Sequence, residues 1–238
     1  KGCRLRDVQG RADLDICAGV AVVSVGHSHP ELVEAITAQA ASLMHVSNLF
    51  YNERAIELAR QLKKRTPFDR FFFCNSGTEA NEAMIKLARR YHFLRGDTDR
   101  TDLVSTLGSF HGRTMGSLTL TGEAKYQQGV GPLMGGVRHL PYDDAEALRS
   151  AVNERTAAVV LEPIQGEGGI VVPSDRYLAE ARSICDRAGA LLLFDEVQTG
   201  FGRTGRFLAC EHNGVVPDAC ALAKGIASGM PLGAMVAK

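Results

Sequence analysis

Two charged residues stand directly after short apolar runs, where a charge is costly unless a partner compensates it. Lys224 follows the small apolar run 221–223, a neighbourhood that lowers the pKa of an amine and makes it a competent nucleophile. Asp195 follows the run 191–194 and needs either a positive partner, such as a protonated ring nitrogen, or backbone N–H donors. The alternative for Lys224 is a side chain that extends into water.

A small polar turn that precedes a helical pattern is a candidate anion site. Residues 75–78 are Asn-Ser-Gly-Thr, and a helical pattern begins at Glu79. Free backbone N–H groups around Ser76, Gly77 and Thr78, together with the helix dipole, would bind an anion such as a phosphate. The alternative is an ordinary helix cap by one of the two hydroxyls. The chain has no GxxxxGK[ST] motif, so a P-loop nucleotide site is not expected.

Two further segments place aromatic, basic and acidic residues after predicted strands. Phe110 can stack on a flat ring, and Arg113 can hold a carboxylate through two parallel hydrogen bonds. Glu162 and Glu167 lie beside a glycine run and could position a cation or an amine. For both segments the alternative is a surface loop, with Phe110 in the core and Arg113 in solvent.

The elements that must position these residues follow from the hydrophobic pattern. Short apolar runs predict strands, and apolar residues at helical spacing predict helices. The predicted strands are 71–74, 103–106, 157–161, 190–194, 219–222 and 233–238; the predicted helices are 30–43, 52–64, 79–93 and 177–188; and 14–25 is predicted as strand and turn. The inward face of the helix 79–93 is predicted to contain Ala80, Ala83, Met84, Leu87, Ala88 and Tyr91.

Strands that alternate with helices indicate an α/β domain with a mainly parallel sheet, in which ligands bind outside the carboxyl ends of the strands. All the candidate residues named above follow predicted strands. Together they supply a phosphate cradle, a stacking aromatic, a carboxylate clamp, an acid for a ring nitrogen and a desolvated lysine. One cofactor, pyridoxal phosphate, needs all of these, and we predict it here.

Composition excludes several classes of protein. The 238 residues are 45% hydrophobic and 23% charged, enough to bury a core, so wholesale disorder is not expected. Lys+Arg and Asp+Glu are both 27, which leaves no basic excess to bind nucleic acid or a membrane surface. No apolar run reaches the ~18–20 residues of a transmembrane helix.

Cysteine and histidine usage makes two further predictions. Six cysteines without CxxC spacing indicate reduced, mostly buried thiols in a cytoplasmic protein. No carboxylate or cysteine stands at ligand spacing from His27, His29 and His45, so no metal site is predicted.

The chain resembles the class III (ornithine-type) aminotransferases of PLP-dependent fold type I, and within them the acetylornithine branch. The resemblance runs essentially from end to end and depends most on segments 45–52, 75–87, 110–114, 161–169, 194–205 and 223–225. It implies a mainly parallel central sheet with flanking helices, plus part of a small N-terminal domain. Residues 1–48 would belong to that small domain, and residues 49–238 to the large cofactor-binding domain.

The resemblance also implies a role for each residue around the cofactor ring. Lys224 would bind the cofactor covalently and move a proton between substrate and cofactor. Asp195 would keep the ring nitrogen protonated, Phe110 and Val197 would enclose the ring, and Gln198 would hydrogen-bond to the ring hydroxyl.

Other matching positions would hold the phosphate and the substrate. Gly77 and Thr78, with Ser76 adjacent, would bind the phosphate. Arg113 would bind a substrate carboxylate. Glu167 would help to sort amino-donor from keto-acid substrates by pairing with a C-terminal arginine. Tyr51 would line the substrate entrance near a dimer interface.

The ends of the sequence suggest a piece of a longer chain. It begins at Lys1 rather than Met, and the strand pattern 233–238 is cut short. By the resemblance, a C-terminal small domain and the arginine that pairs with Glu167 would lie beyond Lys238. So would a threonine that reaches the neighbouring subunit's cofactor in a homodimer with shared active sites. The site in these 238 residues is therefore expected to be incomplete.

One position bears on the amino donor. Relatives that act on ornithine have a tyrosine just before the Gly-His-x-His-Pro turn, which is 26–30 here, and this chain has Val20 at that position. Val20 favours a donor with a capped α-amino group. We therefore expect transfer of the terminal amino group of N-acetylornithine to 2-oxoglutarate, as in arginine biosynthesis.

Three alternatives stay open at this point. The first is another ω-aminotransferase, acting on 4-aminobutyrate, ornithine, succinylornithine, a lysine derivative or a diamine. The second is an inactive fragment that serves as an interaction module. The third is a racemase or aminomutase on the same scaffold.

Overall fold

The structure, a computed structural model, describes all residues 1–238. Nine strands form two sheets: β1 Arg4–Arg6, β2 Ala12–Leu14, β3 Arg70–Cys74, β4 Asp102–Thr106, β5 Val137–Leu140, β6 Thr156–Leu161, β7 Leu191–Asp195, β8 Ala219–Leu222 and β9 Gly233–Ala237. The α-helices are α1 Ala18–Ala21, α2 Pro30–Ser42, α3 Glu53–Arg65, α4 Gly77–Leu94, α5 Met115–Leu120, α6 Ala124–Gln127, α7 Ala145–Ala151 and α8 Tyr177–Ala188. Short 3₁₀ helices cover Ser47–Leu49, Ala209–Asn213 and Lys224–Ile226. None of the helices combines the length and apolar character needed to cross a membrane.

The central sheet has seven strands in the order β3-β9-β8-β7-β6-β4-β5. β9 is antiparallel to both of its neighbours, and all other pairs are parallel. The predicted mainly parallel α/β fold is therefore confirmed. Because the other six strands share one direction, their carboxyl ends meet at a single edge of the sheet.

Helices cover both faces of this sheet. Its inner strands are therefore apolar along their whole length rather than at every second residue. α4 and α5 pack on one face, and α7 and α8 lie on the other. β6 is buried along its whole length, as a strand with both faces covered must be.

The crossover from β7 to β8 contains only the 3₁₀ helix Ala209–Asn213. Its chain is fixed by buried Glu196, which accepts hydrogen bonds from the backbone N–H groups of Ala209 (2.8 Å) and Cys210 (2.9 Å).

Most predicted elements are confirmed to within a few residues, but the prediction for 14–25 is wrong. The strand ends at Leu14, and Ala18–Ala21 is a distorted helical turn with positive φ throughout. The reason is Asp15, whose carboxylate accepts hydrogen bonds from the N–H groups of Cys17 (3.0 Å) and Ala18 (2.9 Å). This local bonding turns the chain and competes with an extended strand.

The buried face of α4 also differs from the prediction. Ala80, Met84 and Ala88 are buried as expected, whereas Tyr91 is exposed. The buried face instead includes Asn81, Ile85 and His92, because α4 lies with its 81–85–88–92 side against the sheet. A prediction that counts only apolar residues misses a face that contains buried polar side chains.

The N-terminal region packs less tightly than the rest. β1 and β2 form a separate antiparallel hairpin, and α2 buries none of its residues. The division of the chain at residues 48 and 49 stays a prediction.

All six cysteines are free thiols. Cys185, Cys210 and Cys220 are buried, while Cys3 and Cys17 are exposed, so fewer of the thiols are buried than predicted.

Candidate active site

A cavity of about 310 Å³ lies at the carboxyl edge of the central sheet. Its size is within the ~300–1,000 Å³ typical of small-molecule pockets. Nine of the predicted site residues line it: Ser76, Gly77, Thr78, Phe110, Glu167, Asp195, Val197, Gln198 and Lys224. They come from the segments after β3, β4, β6, β7 and β8, so the topology brings together residues that are far apart in the sequence.

The wall formed by the start of α4 offers free donors to an anion. Ser76 caps the helix, and its hydroxyl accepts a hydrogen bond from the N–H of Glu79 (3.3 Å). The N–H groups of Gly77 and Thr78 form no hydrogen bond within the protein. The capping interpretation of this turn is therefore confirmed for Ser76. The next two donors stay free, and the anion-binding interpretation stays a prediction.

Gly77 is required for the shape of this wall. A Cβ atom at this position would lie 2.8 Å from both methyl carbons of Val197, so any larger residue would displace one of the two segments. Gly112 is required on the opposite side, because its φ is +126° and an added Cβ would collide with the side chain of Thr78. The backbone segments around the cavity therefore approach one another more closely than side chains would allow.

Asp195 lies at the base of the cavity, and its carboxylate accepts three hydrogen bonds from the protein. Its Oδ2 accepts hydrogen bonds from Asn81 Nδ2 (2.8 Å) and His111 Nδ1 (2.8 Å), and its Oδ1 accepts one from the N–H of Val197 (3.0 Å). Only 4% of Asp195 is exposed. The sequence left open whether a positive partner or N–H groups would compensate this buried charge. Within the chain its partners are one backbone N–H group and two side chains, an amide and an imidazole.

His111 is one of the two side chains that hydrogen-bond to this carboxylate. Burial by itself lowers the pKa of His111, but the hydrogen bond to Asp195 and the negative charges of Asp195 and Glu162 outweigh it and raise the pKa. Asn81 Nδ2 also donates to the carbonyl of His111 (2.8 Å), so the three side chains form one buried cluster. Two atoms of this cluster, Asn81 Oδ1 and His111 Nε2, are buried without a partner in the protein.

Glu162 is a second buried carboxylate on the cavity wall. It accepts hydrogen bonds from the N–H groups of Phe110 (3.1 Å) and Gly166 (3.2 Å) and so joins the segments after β4 and β6. Burial raises the pKa of Glu162 to about 7; the charge of His111 lowers it and that of Asp195 raises it. The predicted alternative of a surface loop is therefore wrong for this residue.

Lys224 follows β8 and faces the same cavity. Its φ of +49° is uncommon for a residue with a side chain and arises from the sharp turn into the 3₁₀ helix Lys224–Ile226. Burial lowers the pKa of its amine, although the carboxylates of Asp195, Glu167 and Glu162 act in the opposite direction. An amine with a lowered pKa can both attack a carbonyl carbon and accept a proton.

Three predicted residues lie outside the cavity. The exposed Arg113 stacks its guanidinium over the ring of Tyr126, 4.4 Å from the centroid. Tyr51 is 92% exposed. Val20 is also exposed, and Val22, two residues further on, lines the cavity in its place. The proposed substrate roles of these residues stay predictions.

Sequence reasoning missed Asn81 and His111 as site residues and gave Glu162 only a general role. Asn81 is hidden inside a helical pattern, and nothing local shows that its amide reaches Asp195. His111 has a weak signal, since it stands between the two singled-out residues Phe110 and Arg113. Glu162 has a clear one, since it directly follows the buried run of β6.

Comparisons with known proteins agree with this geometry. The family model "Aminotransferase class-III" matches residues 1–238. An acetylornithine aminotransferase of Caldanaerobacter subterraneus is 51% identical over the whole chain, which covers 61% of that relative. A succinylornithine transaminase/acetylornithine aminotransferase of Pseudomonas aeruginosa is 49% identical over 99% of the chain, which covers 58% of it.

Solved structures show the same likeness. The crystal structure of N-acetylornithine aminotransferase from Stenotrophomonas maltophilia superposes with a TM-score of 0.87 at 40% identity, over the whole chain and 60% of the solved one. The fold and the site define a fold type I transaminase scaffold. The chain belongs to the class III aminotransferase family and spans about three fifths of the length of the relatives it matches.

Pyridoxal phosphate is the cofactor of this family, and the residues around the cavity fit it. The free N–H groups of Gly77 and Thr78 would hold its phosphate. Asp195 would meet the ring nitrogen, and Phe110 and Val197 line the space beside it. Lys224 supplies the amine that the cofactor's aldehyde requires.

Proposed function

We propose that this chain is the cofactor-binding part of a transaminase that transfers the terminal amino group of N-acetylornithine to 2-oxoglutarate. The products would be N-acetylglutamate semialdehyde and glutamate, in arginine biosynthesis. The main support is one observation: a half-buried amine with a lowered pKa, Lys224, shares a cavity with buried Asp195 and with the free N–H groups of α4. The names of the relatives support N-acetylornithine as the donor.

Each residue then has a task in the reaction. When bound, pyridoxal phosphate withdraws electrons from the substrate carbon that bears the amino group. Lys224 holds the cofactor between turnovers and carries the proton that leaves this carbon. Buried Asp195 would keep the ring nitrogen protonated, and the resulting positive charge is what would let the ring accept electrons from the substrate carbon. Gly77 and Thr78 anchor the phosphate end.

The substrate is proposed to be held from the outer rim of the cavity. Arg113 would bind a carboxylate, and this requires its guanidinium to leave the ring of Tyr126. Glu167 lines the cavity and would sort donor from acceptor by pairing with an arginine outside these residues. Tyr51 would line the entrance at a homodimer interface. The proposed location is the cytoplasm.

N-succinylornithine is the second candidate donor. The Pseudomonas aeruginosa relative, 49% identical to this chain, is named for both succinylornithine and acetylornithine. The two donors differ only in the acyl cap, so the residues that hold the cofactor make no choice between them.

Borohydride reduction tests the cofactor role. The protein is incubated with pyridoxal phosphate, its visible absorbance is recorded, and it is reduced and digested for mass spectrometry. The cofactor is expected on Lys224 alone; Lys224→Ala should abolish the adduct and turnover, and Lys125→Ala, an exposed lysine, should keep both. No adduct in the wild type would support an inactive interaction module instead.

A donor panel tests the reaction. N-acetylornithine, N-succinylornithine, ornithine and 4-aminobutyrate are supplied with and without 2-oxoglutarate, and the products are measured. We expect kcat/KM to be highest for the two acylated donors and no product without the keto acid. Product formation without 2-oxoglutarate would indicate a racemase or aminomutase.

A further inference from the structure

Residues 165–171, which follow β6, form a short hairpin that places Glu167 on the cavity wall. Gln165 and Val171 close the hairpin by exchanging two backbone hydrogen bonds, of 3.0 and 2.9 Å. Glu167 lies inside this closed loop and lines the cavity. Its negative charge acts on the amine of Lys224, where it opposes the lowering of the pKa by burial. The place of this charge in the cavity therefore depends on how the hairpin is held.

One buried side chain ties the hairpin to a neighbouring strand. Gln165 is only 3% exposed, and its Nε2 donates to the hydroxyl of Thr106 (3.2 Å), the last residue of β4, and to the carbonyl of Leu107 (2.9 Å). Because a carbonyl only accepts hydrogen bonds, the contact with Leu107 fixes the orientation of the amide. Both acceptors belong to the end of β4, so the Gln165 side chain anchors the hairpin to the sheet.

Close backbone packing surrounds the hairpin on two sides. A Cβ atom at Gly168 would lie 2.5 Å from the carbonyl oxygen of Gly108, and a Cβ atom at Gly166 would collide with the side-chain amide of Gln198. The hairpin is thus enclosed between the segments that follow β4 and β7. Gln165 is the one side chain of the hairpin that hydrogen-bonds to either segment.

Building on the proposed function, we propose that Gln165 is a positioning residue that fixes Glu167 and so sets the preference between amino donor and keto acid. The reacting terminal carbon of N-acetylornithine carries no carboxylate, whereas the reacting carbon of 2-oxoglutarate is bonded to one. A carboxylate held in one place on the cavity wall repels the keto acid at this point and tolerates the donor. In a loosened hairpin Glu167 spends less time there, and the discrimination falls.

The first test compares the two substrates in steady-state kinetics. Gln165→Met keeps the approximate length of the side chain but has no donor. We expect kcat/KM for 2-oxoglutarate, relative to kcat/KM for N-acetylornithine, to rise about 5- to 10-fold. Thr106→Val removes one of the two acceptors and should raise the same ratio about two- to threefold. An unchanged or lowered ratio in folded Gln165→Met would overturn the proposal, and if that variant does not fold, Thr106→Val decides in the same way.

Gln39→Met is the matched control. Gln39 is a half-buried glutamine on α2 whose Nε2 donates to the carbonyl of Leu43 at 2.7 Å, and it does not line the cavity. The ratio of the two kcat/KM values should stay within about 1.5-fold of wild type in this variant. An equal shift in Gln39→Met and Gln165→Met would show that the ratio follows general loosening of the chain and would refute a positioning role.

The second test needs no turnover. Hydrogen exchange of the cofactor-free protein, read by mass spectrometry, follows the backbone N–H of Val171, which donates to Gln165. Gln165→Met should speed this exchange at least about tenfold, while the N–H groups of β6 keep their wild-type rates. Exchange as slow as in the wild type would show that Gln165 does not hold the hairpin. Absence of transamination by the wild type would instead refute the proposed function, and the exchange rates would still decide the anchoring role.

Discussion

At the scale of single residues, the candidate site depends on charged groups that are shielded from solvent. Lys224 loses hydration, and the three carboxylates around it recover only part of that loss. The folded chain without cofactor therefore binds the Lys224 proton less tightly than the unfolded chain does. A reactive amine is obtained at a cost in stability, as is common in functional sites.

This cost has a pH dependence whose sign follows from the lowered pKa. Below the folded pKa of Lys224 the whole cost is present, and as pH rises toward the ordinary value of 10.5 the cost disappears. Lys224→Met should therefore raise the free energy of unfolding of the cofactor-free protein at pH 7, by up to about 1 kcal/mol after allowance for solvent screening. Urea unfolding should show a smaller gain at pH 10. An equal gain at both pH values, or a loss at pH 7, would contradict this account.

At the scale of elements, one carboxylate on α4 holds the start of α5. Glu82 accepts hydrogen bonds from the N–H groups of Gly116 (2.9 Å) and Ser117 (3.1 Å) and from the hydroxyl of Thr114 (2.5 Å). It acts as a cap supplied by another helix, since Thr114 at the helix start makes no cap bond of its own. The segment after β4, with Phe110 and Arg113, is thereby fixed to α4.

Removal of this cap should be measurable. Glu82→Ala is expected to lower the free energy of unfolding by about 1–2 kcal/mol, because two backbone donors lose an acceptor. The free energy is measured by urea denaturation, with Glu34→Ala on the exposed helix α2 as the control, expected within about 0.5 kcal/mol of wild type. If the two variants are equally stable, Glu82 is not a cap of α5.

At the scale of the whole molecule, the N-terminal region exposes apolar side chains that the rest of these 238 residues does not cover. Leu49, Phe50 and Tyr51 are 85%, 71% and 92% exposed, and they are consecutive. Contiguous exposed apolar residues of this kind mark contact surfaces. The proposed homodimer would cover them and bring Tyr51 toward a cavity entrance.

The dimer proposal predicts a specific weakness. Phe50→Asp should raise the dimer dissociation constant at least about tenfold, because each copy would bury a charge in place of an aromatic ring. Analytical ultracentrifugation over a concentration series measures it. Phe93→Asp, which changes an exposed aromatic ring near the end of α4, is the control. A monomer in the wild type, or no difference between the two variants, would count against this interface.

The sequence could predict those candidate site residues that are marked by the pattern of their immediate neighbours. Asp195 and Lys224 were visible because each ends a buried run, and Gly77 because a small turn precedes a helix. β5 was missed since Arg138 and His139 interrupt the apolar pattern of this edge strand. Asn81 and His111 were missed because their contact with Asp195 crosses from one strand end to another. Only packing in three dimensions determines such contacts.

The insertion of β9 between β3 and β8 has a consequence for synthesis of the chain. β3, which precedes the turn at residues 75–78, has β9 as its sole partner in the sheet. Gly233 of β9 packs so closely that a Cβ there would lie 2.6 Å from the carbonyl carbon of Ser76. This turn is synthesised early on the ribosome, whereas β9, the strand that packs against it, is synthesised only after Lys224. If residues 75–78 hold the cofactor's phosphate as proposed, a nascent chain that already contains Lys224 lacks a complete phosphate site until β9 has emerged.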